Sequence, residues 1–370
     1  MVSVAVSWDL YMQTKSAIVL GNVGFVQVAP FLLFALLAGD FADRHNRQQI
    51  MKITQLLVVA SSVVLLLGSR SVFLIYAALF LNATGRAFQG PARSAVLPNV
   101  VPPEALRHAI TWNSSAFEIA NVSGPALAGI LLAAFGSRTV YAVQFACALI
   151  TLGCFFLLKV PASAERINTL SKRQSLLEGV RFVWTNKLIF SALSLDMFAV
   201  LFGGATALLP IYAVDVLHTG VRGLGWLRAA PSIGAVSMAL FMTHFLHIQK
   251  AGRVLLWSVA GFGAATVVFG LSRWLWLSFG TLVVIGALDN ISVVLRHSLV
   301  QTKTPDSLRG RVLAVNNIFI SCSNQLGAVE SGWSAAWLGA VGSVVAGGVA
   351  TVAIVAAFAA TSVALRRWTT

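Results

Sequence analysis

GDFADRHNRQQI, residues 39–50, places two acids, a histidine and two arginines between Gly39 and Arg47, in a region otherwise dominated by Leu, Val, Ala and Phe. Apolar runs near 16–38 and 50–68 flank it, and about 18 apolar residues are enough to span a bilayer as a helix. The stretch therefore reads as a charged turn between two membrane spans. The composition agrees: of 370 residues, 58% are hydrophobic and 10% charged, with a mean hydropathy of +0.83. Soluble domains carry about 25% charged residues, so this chain cannot be covered by a water-compatible surface. Alternating segments of about ten residues, the mark of a membrane β-barrel, are absent. The expected fold class is an all-α polytopic membrane protein.

Apolar runs are read near 16–38, 50–68, 72–92, 109–135, 138–159, 188–213, 224–246, 254–271, 274–297, 312–336 and 338–365, about eleven full helices. The stub MVSVAVSWDLYM before them is too short to span and lacks the basic segment of a signal peptide. It reads as the outer half of a truncated first helix, so the runs are helices two to twelve. With the 39–50 turn on the cytoplasmic side, nineteen of the 26 Lys and Arg residues fall on that side and six on the other. Such an asymmetry orients a membrane protein and puts the C-terminus in the cytoplasm. It also accounts for the net charge of +14 without nucleic acid as a partner. Cys147, Cys154 and Cys322 lie within apolar runs, and the six histidines form no paired-ligand spacing. No metal or other cofactor is expected. Neither a phosphate-binding loop nor a nucleophile–base pair is present, so ATP-driven transport and a membrane enzyme are both disfavoured.

The longest polar segment, Lys159–Lys187, divides the chain. Within it Leu176, Leu177, Val180 and Val183 recur at helical spacing, which suggests an amphipathic helix at the cytoplasmic interface. The expected organisation is an N-terminal membrane half (1–159), a linker (160–187) and a C-terminal half (188–370). The halves also share a motif: RSAVLPNVVPPEALR (Arg93–Arg107) and RHSLVQTKTPDSLR (Arg296–Arg309) both end in Pro-acid-x-Leu-Arg, six helices apart. Parallel halves related by an axis along the membrane normal are a transporter architecture.

These residues carry a resemblance. Gly39, Ala42, Asp43, Arg44, Arg47 and Ile50 match the loop between helices two and three of the major facilitator superfamily, with Asn46 in place of a glycine and Gln48 in place of a basic residue. Arg86, Gln89 and Gly90 fit that superfamily's fourth-helix pattern R-x-x-Q-G. Gly124, Pro125 and Gly129 partly match the glycine-proline signature of drug–proton antiporters in helix five. Over nearly the whole length, stretches such as SWDLYMQTKSAIVLG and LDMFAVLFGGATALLPIYAVDVLHTG resemble the enterobactin-exporter-like branch, the transmembrane secretion effectors. The resemblance implies export of siderophores, macrolides or other amphipathic small molecules, driven by proton influx through a monomer in a bacterial inner membrane. It further implies that Gly39, Asp43, Arg44, Arg47, Gly124, Pro125 and Gly129 serve conformational change, the first four as a cytoplasmic latch. On this reading Asn46 tolerates the left-handed backbone that a glycine would adopt.

The intramembrane charges are proton-coupling candidates: Arg86, Glu118, Asp196 and Asp289. A charged group in the bilayer is costly and faces a cavity or a partner, and burial favours the neutral form of a carboxyl. Asp196 has no basic neighbour in sequence, whereas Asp289 and Arg296 are seven apart on one helix face and are expected to pair. Asn113, Asn121, Asn316, Asn317, Asn324 and Gln325 are amide candidates for the substrate cavity, or equally for bonds between helices. The reading is a secondary transporter working by alternating access on a small molecule, with protons and membrane lipid as its other partners. An importer or uniporter of a lipid or sugar, or a non-transporting remnant, is the alternative.

Overall fold

The structure, a computed structural model, describes residues 1–158, 172–245 and 249–369, and every regular element among them is helical. The first six are α1 (Val2–Thr14), α2 (Ala17–Arg44), α3 (Arg47–Gly68), α4 (Val72–Val100), α5 (Leu106–Phe135) and α6 (Ser137–Leu157). There follow α7 (Lys172–Thr185), α8 (Lys187–Gly203), the single-turn α9 (Leu209–Ile211), α10 (Gly220–Phe245), α11 (Ala251–Leu271), α12 (Leu275–Lys303), α13 (Asp306–Thr361) and α14 (Val363–Arg366). Nine helical segments among the described residues are long and apolar enough to cross a membrane. The last of them, Leu308–Thr361, is broken at Gly339, whose φ of 74° and ψ of 162° are not helical. Its limbs, 306–338 and 340–361, are therefore separate helices. A Cβ on Gly339 would meet nothing within 4 Å, so glycine is required here by backbone conformation alone.

One expected span is interrupted. Instead of a single helix over 188–213, α8 stops at Gly203 and the chain continues through a 3-10 turn, α9 and a π turn to Val216. Gly204, with φ of −70° and ψ of 44°, lies against Gly327 of α13, and its carbonyl accepts a hydrogen bond from Ser331 Oγ at 3.2 Å. A freed backbone carbonyl inside a bilayer needs such a partner.

The chain forms two compact units: Met1–Gln13 with Phe25–Arg173, and Thr14–Gly24 with Gln174–Thr370. In the first, α3 packs on α4 and α6, burying Ile50, Met51, Ala92 and Val96 against Phe88, Phe155 and Leu158. Side-chain amides join the same helices. Gln55 Nε2 donates to the Ala148 carbonyl (2.9 Å), Gln89 Nε2 to Gln55 Oε1 (3.0 Å) and Asn82 Nδ2 to Ser61 Oγ (3.3 Å). Each such bond in lipid is worth about 1 kcal/mol or less, so these act as alignment more than as glue. The stub is the helix α1, held by buried Val4, Ala5, Val6 and Leu10. Its Asp9 Oδ2 accepts from Tyr141 Oη at 2.8 Å, and Gln13 Nε2 donates to the Ser69 carbonyl at 2.6 Å.

In the second unit α8, α10, α11, α12 and α13 enclose a core that includes Leu193, Leu195, Leu255, Leu299 and Val312. α10 crosses α12 closely, where a Cβ on Gly234 would strike the Val283 carbonyl and one on Gly286 the Pro231 carbonyl. Two small residues allow backbones to approach where side chains would hold them apart. The linker helix α7 also belongs here. Val183 is fully buried in the core, with Val180 and Phe182 packed beside it, Gly179 against Arg311, and Glu178 ion-paired with Arg311. Val180, Phe182 and Val183 of the expected amphipathic helix thus pack on protein. Residues 159–171 of the expected linker, and the side chains of Leu176 and Leu177, lie outside the described residues.

Both copies of the repeated motif make the same backbone turn. α4 ends in Val101 (φ −109°, ψ 136°) before Pro102, and α12 ends in Thr304 (φ −104°, ψ 128°) before Pro305. A residue preceding proline is driven from helical to extended conformation, so Pro-acid-x-Leu-Arg stops one helix and begins another. The opening stretch behaves differently from expectation. GDFADR is the last part of α2, which stays helical to Arg44, and the turn shrinks to His45 and Asn46. Asn46 is not left-handed (φ −60°, ψ 113°). Its side chain caps α3 by accepting from the amides of Gln48 (2.9 Å) and Gln49 (3.4 Å). Gln48 in turn donates to the carbonyls of Leu158 and of Phe155, the latter at 3.3 Å. These carbonyls end α6 and lack helical donors.

Two stability measurements check these assignments. Asn46→Ala removes the cap and should cost about 1 kcal/mol, whereas Asn46→Asp should cost far less, read as thermal unfolding in detergent. Gly339→Ala should cost about 1–3 kcal/mol, because φ of 74° with ψ of 162° is a conformation essentially confined to glycine.

Candidate functional site

The charged groups that the structure brings together lie in the second unit. Asp289 is the middle residue of the 29-residue α12. Ser292 and Arg296 follow it at i+3 and i+7, one and two turns along the same face. Helical side chains lean towards the N-terminus of their helix, so Arg296 leans back over Ser292 towards Asp289. Across from it, Asp196 of α8 meets the guanidinium: Arg296 Nη1 lies 2.8 Å from Asp196 Oδ2, and the two side chains are only 3% and 6% exposed. Ser292 Oγ donates to Asp196 Oδ1 at 3.4 Å. Arg296 therefore pairs with Asp196, a hundred positions away, and not with Asp289 as its spacing suggested.

A small cavity opens beside this pair. Its walls are Asp196, Ala199 and Val200 of α8, Val259 and Phe262 of α11, and Leu288, Asp289 and Ser292 of α12. Phe262 also fills the space beside Gly203, where a Cβ would strike its ring, which holds α8 and α11 together at this level. Asp289 is partly exposed to the cavity, while Asp196 and Arg296 are buried. The Nε of Arg296 and the Oδ1 of Asn290 are buried without a hydrogen-bond partner among the described residues. In a low-dielectric interior, an uncompensated charge or unpaired donor costs several kcal/mol. The arrangement of two carboxyls, one guanidinium and a hydroxyl around a cavity can hold or release a proton, or take a polar group.

Of the other candidates, Asn113 accepts a hydrogen bond from Arg93 Nη2 at 2.5 Å, joining α5 to α4. Arg93 and Arg296 begin the two copies of the repeated motif, so corresponding arginines bind an amide in one unit and a carboxylate in the other. Arg86 is exposed on α4, and Gly124, Pro125 and Gly129 lie within α5. Asn316 is fully buried on α13 with neither amide atom hydrogen-bonded among the described residues. Asn317 and Asn324 are exposed, Asn324 Nδ2 donating to the Ile320 carbonyl at 2.8 Å, and Gln325 is half-buried. Arg47 opens α3. The side chains of Gly39, Asp43, Arg44, Glu118 and Asn121 lie outside the described residues, though their backbones belong to α2 and α5. Ser292 was missed in the sequence. The i, i+3, i+7 spacing of Asp289, Ser292 and Arg296 was the available signal.

A double-mutant cycle tests the ion pair. Asp196→Asn and Arg296→Gln should each destabilise the folded protein by about 3–5 kcal/mol, because each strands one buried charge. The double variant should cost clearly less than their sum, read from thermal unfolding in detergent.

The chain is similar to known proteins over most of its length. The family described as transmembrane secretion effector matches residues 1–370. Macrolide efflux protein A of Streptococcus pyogenes is 24% identical over 338 residues, 88% of this chain and 83% of that one. The enterobactin exporter EntS of Citrobacter koseri is 27% identical over 320 residues, 84% and 76% respectively. Among solved structures, an inward-facing bacterial homolog of the human lysosomal transporter Spinster superposes with a TM-score of 0.73 at 15% identity, over 99% of this chain and 97% of that one. At that identity the likeness shows the fold. The chain is a multi-pass membrane transporter and not an enzyme; it belongs to the transmembrane secretion effector family of the major facilitator superfamily.

Proposed function

We propose that this chain is a proton-coupled efflux transporter, exporting an amphipathic small molecule of siderophore or drug type by alternating access between its N- and C-terminal halves. The observation that carries the coupling is the buried Asp196–Arg296 pair with Asp289 beside it on a cavity wall. Buried ionisable groups in membrane helices are costly, and a group that changes protonation between conformations links the proton gradient to the motion. The names of the relatives, a macrolide efflux protein and an enterobactin exporter, support export and a cargo of that class. The proposed setting is a bacterial plasma membrane with the C-terminus in the cytoplasm, which the nineteen-to-six division of Lys and Arg supports. Asp43, Arg44 and Arg47 then act as a cytoplasmic latch, and Gly124, Pro125 and Gly129 as the flexible part of α5.

The test is efflux of ethidium and of a catecholate siderophore from cells with and without the protein. Efflux of at least one should require the chain, stop when a protonophore collapses the gradient, and continue when ATP is depleted under a maintained gradient. Chain-dependent efflux that persists after the gradient is collapsed would sink the coupling. Chain-dependent uptake in place of efflux would reverse the direction.

A further inference from the structure

Two carboxyls, Asp196 and Asp289, line the cavity, and Arg296 is paired with the first of them, so the three charged groups are not equivalent. Asp196 is buried, ion-paired at 2.8 Å and hydrogen-bonded by Ser292. Arg296 is 3% exposed and held by that contact. Asp289 lines the same cavity, is partly exposed within it, and makes no hydrogen bond or ion pair among the described residues. Two carboxylates and one guanidinium sum to one negative charge. The Asp196–Arg296 pair cancels itself, so the surplus sits on Asp289, at the midpoint of a membrane helix. An isolated carboxylate there is the costliest of the three groups to leave charged.

Other charges do not relieve it. The helices packed around α12 carry Arg222, Arg228 and His244 on α10, Arg253 in the first turn of α11, Lys187 at the start of α8, and Asp306, Arg309, Arg311 and Glu330 on α13. The side chains of His244 and Asp306 lie outside the described residues, and none of the others lines the cavity. On α12 itself, His297 adjoins Arg296 in sequence and Lys303 ends the helix, and neither lines the cavity.

We propose that Asp289 is the exchangeable proton site of the second unit, and that Asp196 and Arg296 form a permanent pair that positions it. Asp196 fixes the guanidinium on the face of α12 that Asp289 shares, two turns along and already committed to another carboxylate. One unit thus carries one proton. The assignment rests on the proton-coupled reading above and divides its labour: one acid exchanges, the other does not. Asp196 is therefore a positioning residue, although the sequence offers it as a proton-coupling candidate beside Asp289.

Infrared difference spectroscopy of the purified full-length protein tests this without a cargo. Spectra taken as the pH is lowered should show the C=O stretch of a newly protonated carboxyl. Asp289→Asn should remove one carboxyl's amplitude from that band, and Asp289→Glu should restore it at a shifted position. An unchanged band in Asp289→Asn would overturn the assignment. If Asp289→Asn does not fold, Asp289→Glu carries the test: a band that neither moves nor changes would overturn it equally. In cells, Asp289→Asn should lower gradient-driven ethidium or siderophore efflux at least tenfold while Asp289→Glu retains it. Gradient-driven efflux that survives in Asp289→Asn sinks the assignment alone, whereas wild-type efflux indifferent to the gradient sinks the coupled reading beneath it.

Discussion

Hydrocarbon offers no hydrogen-bond partner to a peptide group, so a chain that crosses it must satisfy its own backbone. The rest of this structure follows from that constraint. All regular elements among the described residues are helices, and each place where a helix breaks inside a unit has a local remedy. Gly204 leaves the helical conformation after α8, and Ser331 donates to its carbonyl. The end of α6 exposes carbonyls, and Gln48 donates to them. Gly339 turns α13 back on itself through a conformation that other residues resist.

The same constraint makes polar side chains scarce, and several of them join helices. Gln55, Gln89 and Asn82 align α3, α4 and α6 in the first unit. Gln89 belongs to the R-x-x-Q-G pattern of the fourth helix, and its contact here is helix alignment. In the second unit, Gly234 and Gly286 draw α10 and α12 together. Gly286 is one turn before Asp289, so this crossing sets where the acid lies. Phe262 against Gly203 does the same for α8, which carries Asp196. Small residues that look incidental thus decide the distance between the charges.

Much of the fold was legible from residues alone. Apolar run length marked the spans, and the prolines of the repeated motif marked where α4 and α12 stop, because Pro102 and Pro305 force the residue before them out of the helix. Other features took their role from neighbours that residue type alone did not specify. Asn46 looked like a glycine substitute, yet it caps α3. The apolar residues of α7 suggested an amphipathic helix at the cytoplasmic interface, and its Val183 packs in the protein core. In each case the residue type was right for two roles, and only the neighbour chose between them.

The sequence by itself determined the class of molecule, its family and its expected orientation, since these depend on transfer of side chains from water to lipid and on the distribution of Lys and Arg, which are properties of segments. It also singled out Asp196, Asp289 and Arg296, because a charge within an apolar run is conspicuous wherever the run goes. What only the tertiary structure decided was which of them pair. Asp289 and Arg296 share a helix face, but Coulomb attraction depends on the distance between atoms. The packing of α8 against α12 places Asp196 at 2.8 Å from the guanidinium, leaving Asp289 on the cavity wall without an ion-pair partner among the described residues.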